Sequence, residues 1–162
     1  MAEQATTVKG RPVFIERVFD APLELVWKTW TEPERIRLWW GPKDFTCPVA
    51  KVDFRVGGTY LYCMRTPDGK DGWTGGVFRE IVPMERIVVS DYFADEHGNK
   101  VPPSHYGVTG ELPNDEGILT VTFADAGDGK TKLTLHTAVA VDEGEVEGWN
   151  ESLDKFAEAL KQ

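Results

Sequence analysis

Histidine and cysteine are the scarcest chemistry in this chain, with three His and two Cys among 162 residues. A nucleophilic enzyme needs Ser, Cys or Thr backed by a His and by a group that orients it. His136 alternates with Leu135 and is expected to point away from the core. His97 and His105 fall in a Gly-rich stretch that makes a poor scaffold for a metal pair. Cys47 and Cys63 lie on either side of a turn at Gly57-Gly58, offset from cross-strand register by about four or five residues. At about 3.3 Å per residue that exceeds the roughly 7 Å a disulfide tolerates. Neither metal nor cofactor is expected.

Positive charge is also short, with 18 Lys and Arg against 27 Asp and Glu. A net charge of −9 leaves no basic stripe for phosphates, which excludes nucleic acid and an anionic membrane surface as partners. No apolar run approaches the roughly 18 residues of a membrane span. The start, MAEQATTVKGRP, lacks the layout of a secretory signal. The expectation is a cytoplasmic protein, with a loose tail over residues 1–11 and a single domain over 12–162.

Aromatic residues are what the chain does have, six Trp among them. RPVFIERVF alternates as a strand to about Phe19. Pro22 then opens a helix whose face is Leu23, Val26, Trp27 and Trp30. Thr31 and Glu34 form a capping-box pattern for a second helix, in which Ile36, Trp39 and Trp40 share a stripe before Gly41-Pro42 ends it. Three hairpins follow, turning at Gly57-Gly58, at Pro83–Arg86 and at Gly127-Asp128-Gly129. In the first, a bulged turn would set Tyr60 and Tyr62 beside Phe54 and Val52, gathering Val52, Phe54, Tyr60, Tyr62 and Met64 on one face. The Gly- and Pro-rich stretch from Ala94 to Gly117 reads as a lid or a mobile segment. Asp142 and Glu145 repeat the capping pattern ahead of a long helix carrying Val146, Trp149, Leu153, Phe156 and Leu160. Gly148 near its start suggests a bend or a close backbone approach. The order is strand, two short helices, six antiparallel strands and one helix, an α+β layout.

The segments FDAPLELVWKTWTEPERIRLWWGP, VDFRVGGTYLYCMRTPDG, GGVFREIVPMERIVVS and GWNESLDKFAEAL resemble the family related to the C-terminal domain of the activator of Hsp90 ATPase. That family is part of the START/Bet v 1-like (SRPBCC) superfamily, and the resemblance runs from about residue 12 to the end. It implies a helix-grip fold, a curved antiparallel sheet wrapped around the C-terminal helix, with a hydrophobic cavity between them. Members bind lipids, sterols or polyketide-like molecules; some are cyclases and others cochaperones. The cochaperone carries a separate N-terminal Hsp90-binding domain, whereas only a short tail precedes residue 12 here. A chaperone is therefore the least expected partner.

Three functions are weighed on these residues. The first is binding of a small hydrophobic or aromatic molecule by Trp39, Trp40, Phe54, Tyr60, Tyr62, Met64, Phe78, Phe93, Trp149, Leu153 and Phe156, with one of Trp39 and Trp40 sealing the core and the other bordering the pocket. The second is a cyclase- or dehydratase-type enzyme. If Phe78, Glu80, Val89, Asp91 and Phe93 share a face, the carboxyls of Glu80 and Asp91 enter an apolar cavity and serve as general acid and base; the alternative has them on the outer face, paired with Arg79, Arg86 or solvent. The third is a cochaperone-like interaction module with an exposed apolar patch. A homodimer is kept open as a partner, alongside the small hydrophobic molecule.

Overall fold

The computed structural model describes residues 12–107, 116–138 and 144–162. Strand β1 (Val13–Phe19) is followed by helices α1 (Leu23–Thr31) and α2 (Pro33–Ile36). Next come β2 (Ala50–Val52), β3 (Thr59–Arg65), β4 (Asp71–Val82), β5 (Arg86–Ala94), a 3-10 turn (Pro103–Tyr106), β6 (Gly117–Gly127) and β7 (Lys130–Thr137). Helix α3 (Gly144–Ala159) closes the chain. The strands form one antiparallel sheet in the order β1-β7-β6-β5-β4-β3-β2, so each hairpin stays intact and β1 crosses over to pair with β7. This is the helix-grip architecture.

One proline separates the two short helices. A residue before proline is driven out of the helical region, and Glu32, at φ −89° and ψ 128°, obeys. Pro33 then starts α2, where its missing N–H costs nothing. The capping-box expectation is corrected here: Glu32 is the N-cap, and the Thr31 hydroxyl donates backward to the Trp27 carbonyl at 2.9 Å. Helix α2 is also shorter than its stripe implied, ending at Ile36, although the Trp40 N–H still reaches the Ile36 carbonyl at 3.0 Å.

Alternation places Val13, Ile15, Phe19, Tyr60, Tyr62, Phe78, Ile87, Val89, Leu119, Val121, Phe123, Leu133 and Leu135 on the buried face. In the first hairpin Tyr60 faces Val52 and Tyr62 faces Ala50. The face composition is as expected, while the register slides by two residues because the connection runs from Asp53 to Gly58. Gly75 and Gly76 let rings lie flat on β4. A Cβ on Gly76 would sit 2.4 Å from the Tyr60 ring inside, and one on Gly75 2.7 Å from the Tyr92 ring outside.

Helix α3 buries Leu153, Phe156 and Ala159 against the concave side. Arg17 of β1 holds one flank through Asp154 at 3.0 Å. On the other flank Lys155 donates to the carbonyls of Pro42 and Phe45 at 3.1 and 2.9 Å. Gly148 does not mark the close backbone approach expected of it, since a Cβ there would meet the Pro42 side chain at 3.6 Å, an ordinary van der Waals contact. Val146 departs from the expected stripe and is 44% exposed; Asp142 lies outside the described residues. Within the stretch from Ala94 to Gly117, residues 95–107 have more order than their composition suggests, and 108–115 lie outside the described residues. Asp95 accepts from the N–H groups of His97 and Asn99, and the Tyr106 hydroxyl donates to the Ala94 carbonyl and accepts from the Trp73 N–H.

Candidate ligand site

The concave interior divides into two parts. One is an aromatic block where α1, α2 and α3 meet: Trp39 packs on Trp30 at 4.6 Å and on Phe156 at 5.0 Å, and Phe156 reaches Phe19 at 5.1 Å. Trp39 is fully buried, and its indole N–H donates to the Thr29 carbonyl at 2.9 Å. A buried donor so held costs nothing further.

The other part is a crevice over the middle of the sheet. Its lining is Trp30 and Thr31 of α1, Trp40 after α2, Phe54, Tyr60, Tyr62, Phe78, Ile87, Val89, Leu119 and Val121. Tyr60 and Tyr62 stack at 4.6 Å, Phe54 stands edge-on to Phe78 at 5.1 Å, and Trp40 edge-on to Tyr62 at 4.7 Å. The hollow they leave is about 20 Å³, room for one water. Trp40 differs from its neighbour in the one respect that matters here. It is 9% exposed, and its indole nitrogen is buried with no hydrogen-bond partner among the described residues.

Of the expected pocket residues, Trp40, Phe54, Tyr60, Tyr62 and Phe78 come together around the crevice. Trp39, Leu153 and Phe156 belong to the block behind it. Trp149 stacks on Trp30 and meets Trp40 edge-on, one ring removed from the hollow. Met64 packs beside Gly41, and Phe93 leans toward Tyr106 at 6.0 Å. The expectation that the C-terminal helix roofs the cavity is corrected: the helical lining comes from α1 and the turn after α2. Nothing in the alternation of Val89, Leu119 and Val121 marks the stretch of strand that lies beneath a gap.

The paired-carboxylate expectation fails at one residue. A bulge at Arg79 shifts the β4–β5 register, so that Phe78 faces Val89 while Glu80 faces Val88. Parity inverts past the bulge, and Glu80 emerges on the outer face in a two-pronged pair with Arg86 at 3.0 and 2.9 Å. Arg86 holds the Glu80 carboxyl below its usual range. Asp91 stays on the concave side, in a row across the sheet that reads Val52, Tyr60, Gly76, Asp91, Gly117. The Tyr60 ring lies over Gly76 and the Asp91 carboxyl over Gly117, whose Cβ would be 2.8 Å from Asp91 Oδ1. Burial, then Glu145 of α3 and Glu116, push the half-buried Asp91 up to about 7. Burial and Asp91 raise the Tyr60 hydroxyl, and burial raises that of Tyr62, so both phenols stay neutral. Cys47 and Cys63 are free and buried, and burial foremost pushes both thiols up to about 11, which leaves them protonated. His136 is exposed, and the His105 ring rests on Tyr106. Among the described residues no helix is long and apolar enough to cross a membrane.

The family model described as Activator of Hsp90 ATPase homolog 1-like protein matches residues 20–161. A solved protein from Chromobacterium violaceum is similar at 29% identity and a TM-score of 0.76, covering 93% of this chain and 97% of its own. One from Arthrobacter aurescens is similar at 26% and 0.75, covering 94% and 87%. The AHSA1 protein from Silicibacter pomeroyi shares the fold at 18% and 0.71, covering 93% and 98%. No curated protein matches the chain.

Proposed function

The chain belongs to the Activator of Hsp90 ATPase homolog 1-like family, and from that premise we propose that it binds a small hydrophobic or aromatic molecule in the crevice over β3–β6. The family fold supports a ligand-binding or cochaperone-like domain. The observation that carries the finer reading is the lining itself: six aromatic rings, four aliphatic side chains and Thr31 converge on a gap, with Tyr60 and Tyr62 among them as residues that carry a polar group. Ligand sites are built this way, largely apolar with sparse polar points. Because the hollow holds only about one water, a ligand enters by displacing a wall, and Trp40, which follows α2 and whose indole nitrogen has no partner among the described residues, is the wall we assign to yield. Calorimetric titration with naphthalene-sized aromatic compounds tests this. Saturable binding that Val89→Phe abolishes by filling the gap, and Phe78→Leu strengthens by widening it, is expected. Absence of binding in both the unmodified chain and Phe78→Leu would discard the reading.

A second reading, a cochaperone-like interaction module, is favoured by the outer face of the sheet near its β1 edge. Phe14 and Val18 are 65% and 56% exposed there, and Ile118 of β6 is 42% exposed on the same side. Capture of an Hsp90-type chaperone, lost in Phe14→Ser and kept in Val89→Phe, supports this reading; loss in Val89→Phe alone counts against it.

A further inference from the structure

The sheet does not close on itself, so it ends in two edge strands, β1 and β2. Natural sheets shorten, charge or cover such edges, because a free row of N–H and C=O groups is a template for another strand. β2 is of the short kind, three residues from Ala50 to Val52. β1 runs for seven residues in unbroken register with β7. The Ala138 N–H donates to the Ile118 carbonyl at 3.2 Å, so even-numbered residues of β7 bond to β6 and odd-numbered ones to β1. Val13, Ile15, Arg17 and Phe19 therefore direct their backbone groups to β7. Those of Phe14, Glu16 and Val18 point to the open edge, with no partner among the described residues. The side chains of these three residues are also exposed. Phe14 is 65% and Val18 56% exposed, and Glu16, with 48% of its side chain exposed, pairs with Lys132 at 3.4 Å. A pair so open to solvent is worth little, which leaves the carboxylate available to a second cation.

We propose that β1 takes up an extended segment of a partner protein as a further antiparallel strand, and that this segment carries a basic residue opposite Glu16 between apolar residues opposite Val18 and Phe14. Strand addition draws affinity from the main-chain ladder and specificity from alternate side chains. Both are laid out here, an open ladder and outward side chains that read apolar, acidic, apolar. A second copy of this chain is the obvious rival, and the charges disfavour it. Antiparallel self-pairing centred on the strand sets Glu16 against Glu16, and like charges directly opposite are destabilising. Shifting that register by two sets either Arg17 against Arg17 or Val18 against Pro12, which has no N–H to give. Shifting it by one turns the outer side chains of one copy toward the inner ones of the other. Each copy also carries a net charge of −9, which repels a twin and attracts a cationic segment. No residue of β1 lines the crevice, so the inference stands apart from the ligand reading, and it does not require a chaperone.

The test titrates the peptide acetyl-TVTKVIT-amide, up to about 2 mM, against the isotope-labelled full chain and follows its amide resonances. In the antiparallel register the peptide's lysine meets Glu16, its first valine Val18 and its isoleucine Phe14. The amides of Phe14, Glu16 and Val18 are expected to move and to gain protection from exchange, while those of Ile15 and Arg17, already bonded to β7, gain little. The charge-reversed peptide acetyl-TVTEVIT-amide is expected to bind about fivefold more weakly, and Glu16→Lys to invert that order. Methylating the backbone nitrogen of the peptide's lysine, which faces β1, should abolish binding. Methylating that of the preceding threonine, which faces away, should not, and this arm leaves the protein unmodified. Still amides at Phe14, Glu16 and Val18, equal affinity for the two peptides, or binding that survives methylation at the lysine overturns the inference. So does a dimer of the chain alone in sedimentation whose interface maps to the same three amides, since a second copy then holds the edge.

Discussion

Trp39 and Trp40 are neighbours in sequence and opposites in situation. Trp39 sits in a block where each ring touches several others and its N–H is spent on the Thr29 carbonyl. Trp40 faces a gap and holds an unspent donor. A protein interior packs like an organic crystal, so a gap and an unpaired polar atom at one point set that point apart. The block gives the domain its stability; the crevice is where the proposed ligand would sit.

Substitutions sharpen the contrast. Trp39→Ala is expected to cost about 3–5 kcal/mol, since it removes a fully buried ring and strands the Thr29 carbonyl. Denaturant unfolding checks it. Gly76→Ala follows at about 1–3 kcal/mol, because its Cβ would meet the Tyr60 ring at 2.4 Å. Tyr60→Val in the same chain should return most of that loss, and a double-mutant cycle measures how much.

Asp91 makes stability depend on pH. Its folded pKa is raised, so the folded state binds the proton more tightly than the unfolded chain does. That stabilisation is complete below about pH 4 and fades as pH rises through about 7. Asp91→Asn should remove the slope and raise stability at pH 8 by about 1–2 kcal/mol, less than the full shift implies because the group is half-buried and screened. Thermal unfolding across pH 4 to 8 is the measurement. Trp40→Phe is expected to change stability by under about 1 kcal/mol, since the lost area is offset by removing an unsatisfied donor. The smallest effect belongs to Glu80→Gln, within about 0.5 kcal/mol, because its pair with Arg86 lies in solvent.

Much of the architecture was legible in the residues. Alternation set Tyr60 and Tyr62 on one face with Val52 and Phe54, and the spacing of Trp149, Leu153 and Phe156 gave the last helix its buried side. What escaped turned on single residues. A bulge at Arg79 sent Glu80 outward, and no periodicity announces a bulge. The spacing of Ile36, Trp39 and Trp40 placed both indoles inside but did not show which would find an acceptor. That depended on Pro33 ending α1 so that the Thr29 carbonyl meets the Trp39 ring in the turn after α2. The gap itself arises from contacts among α1, α2 and four strands far apart in sequence, which alternation within any one of them does not encode.

The contrast between the two indoles is most directly measured by hydrogen exchange of their N–H groups in the unliganded protein. Trp39, buried and bonded, should exchange only on global opening, while Trp40, buried and unbonded beside a water-sized gap, should exchange at least about a hundredfold faster through local motion. Equal protection of the two would mean that Trp40 is held as firmly as Trp39, and the crevice would then be part of the solid core.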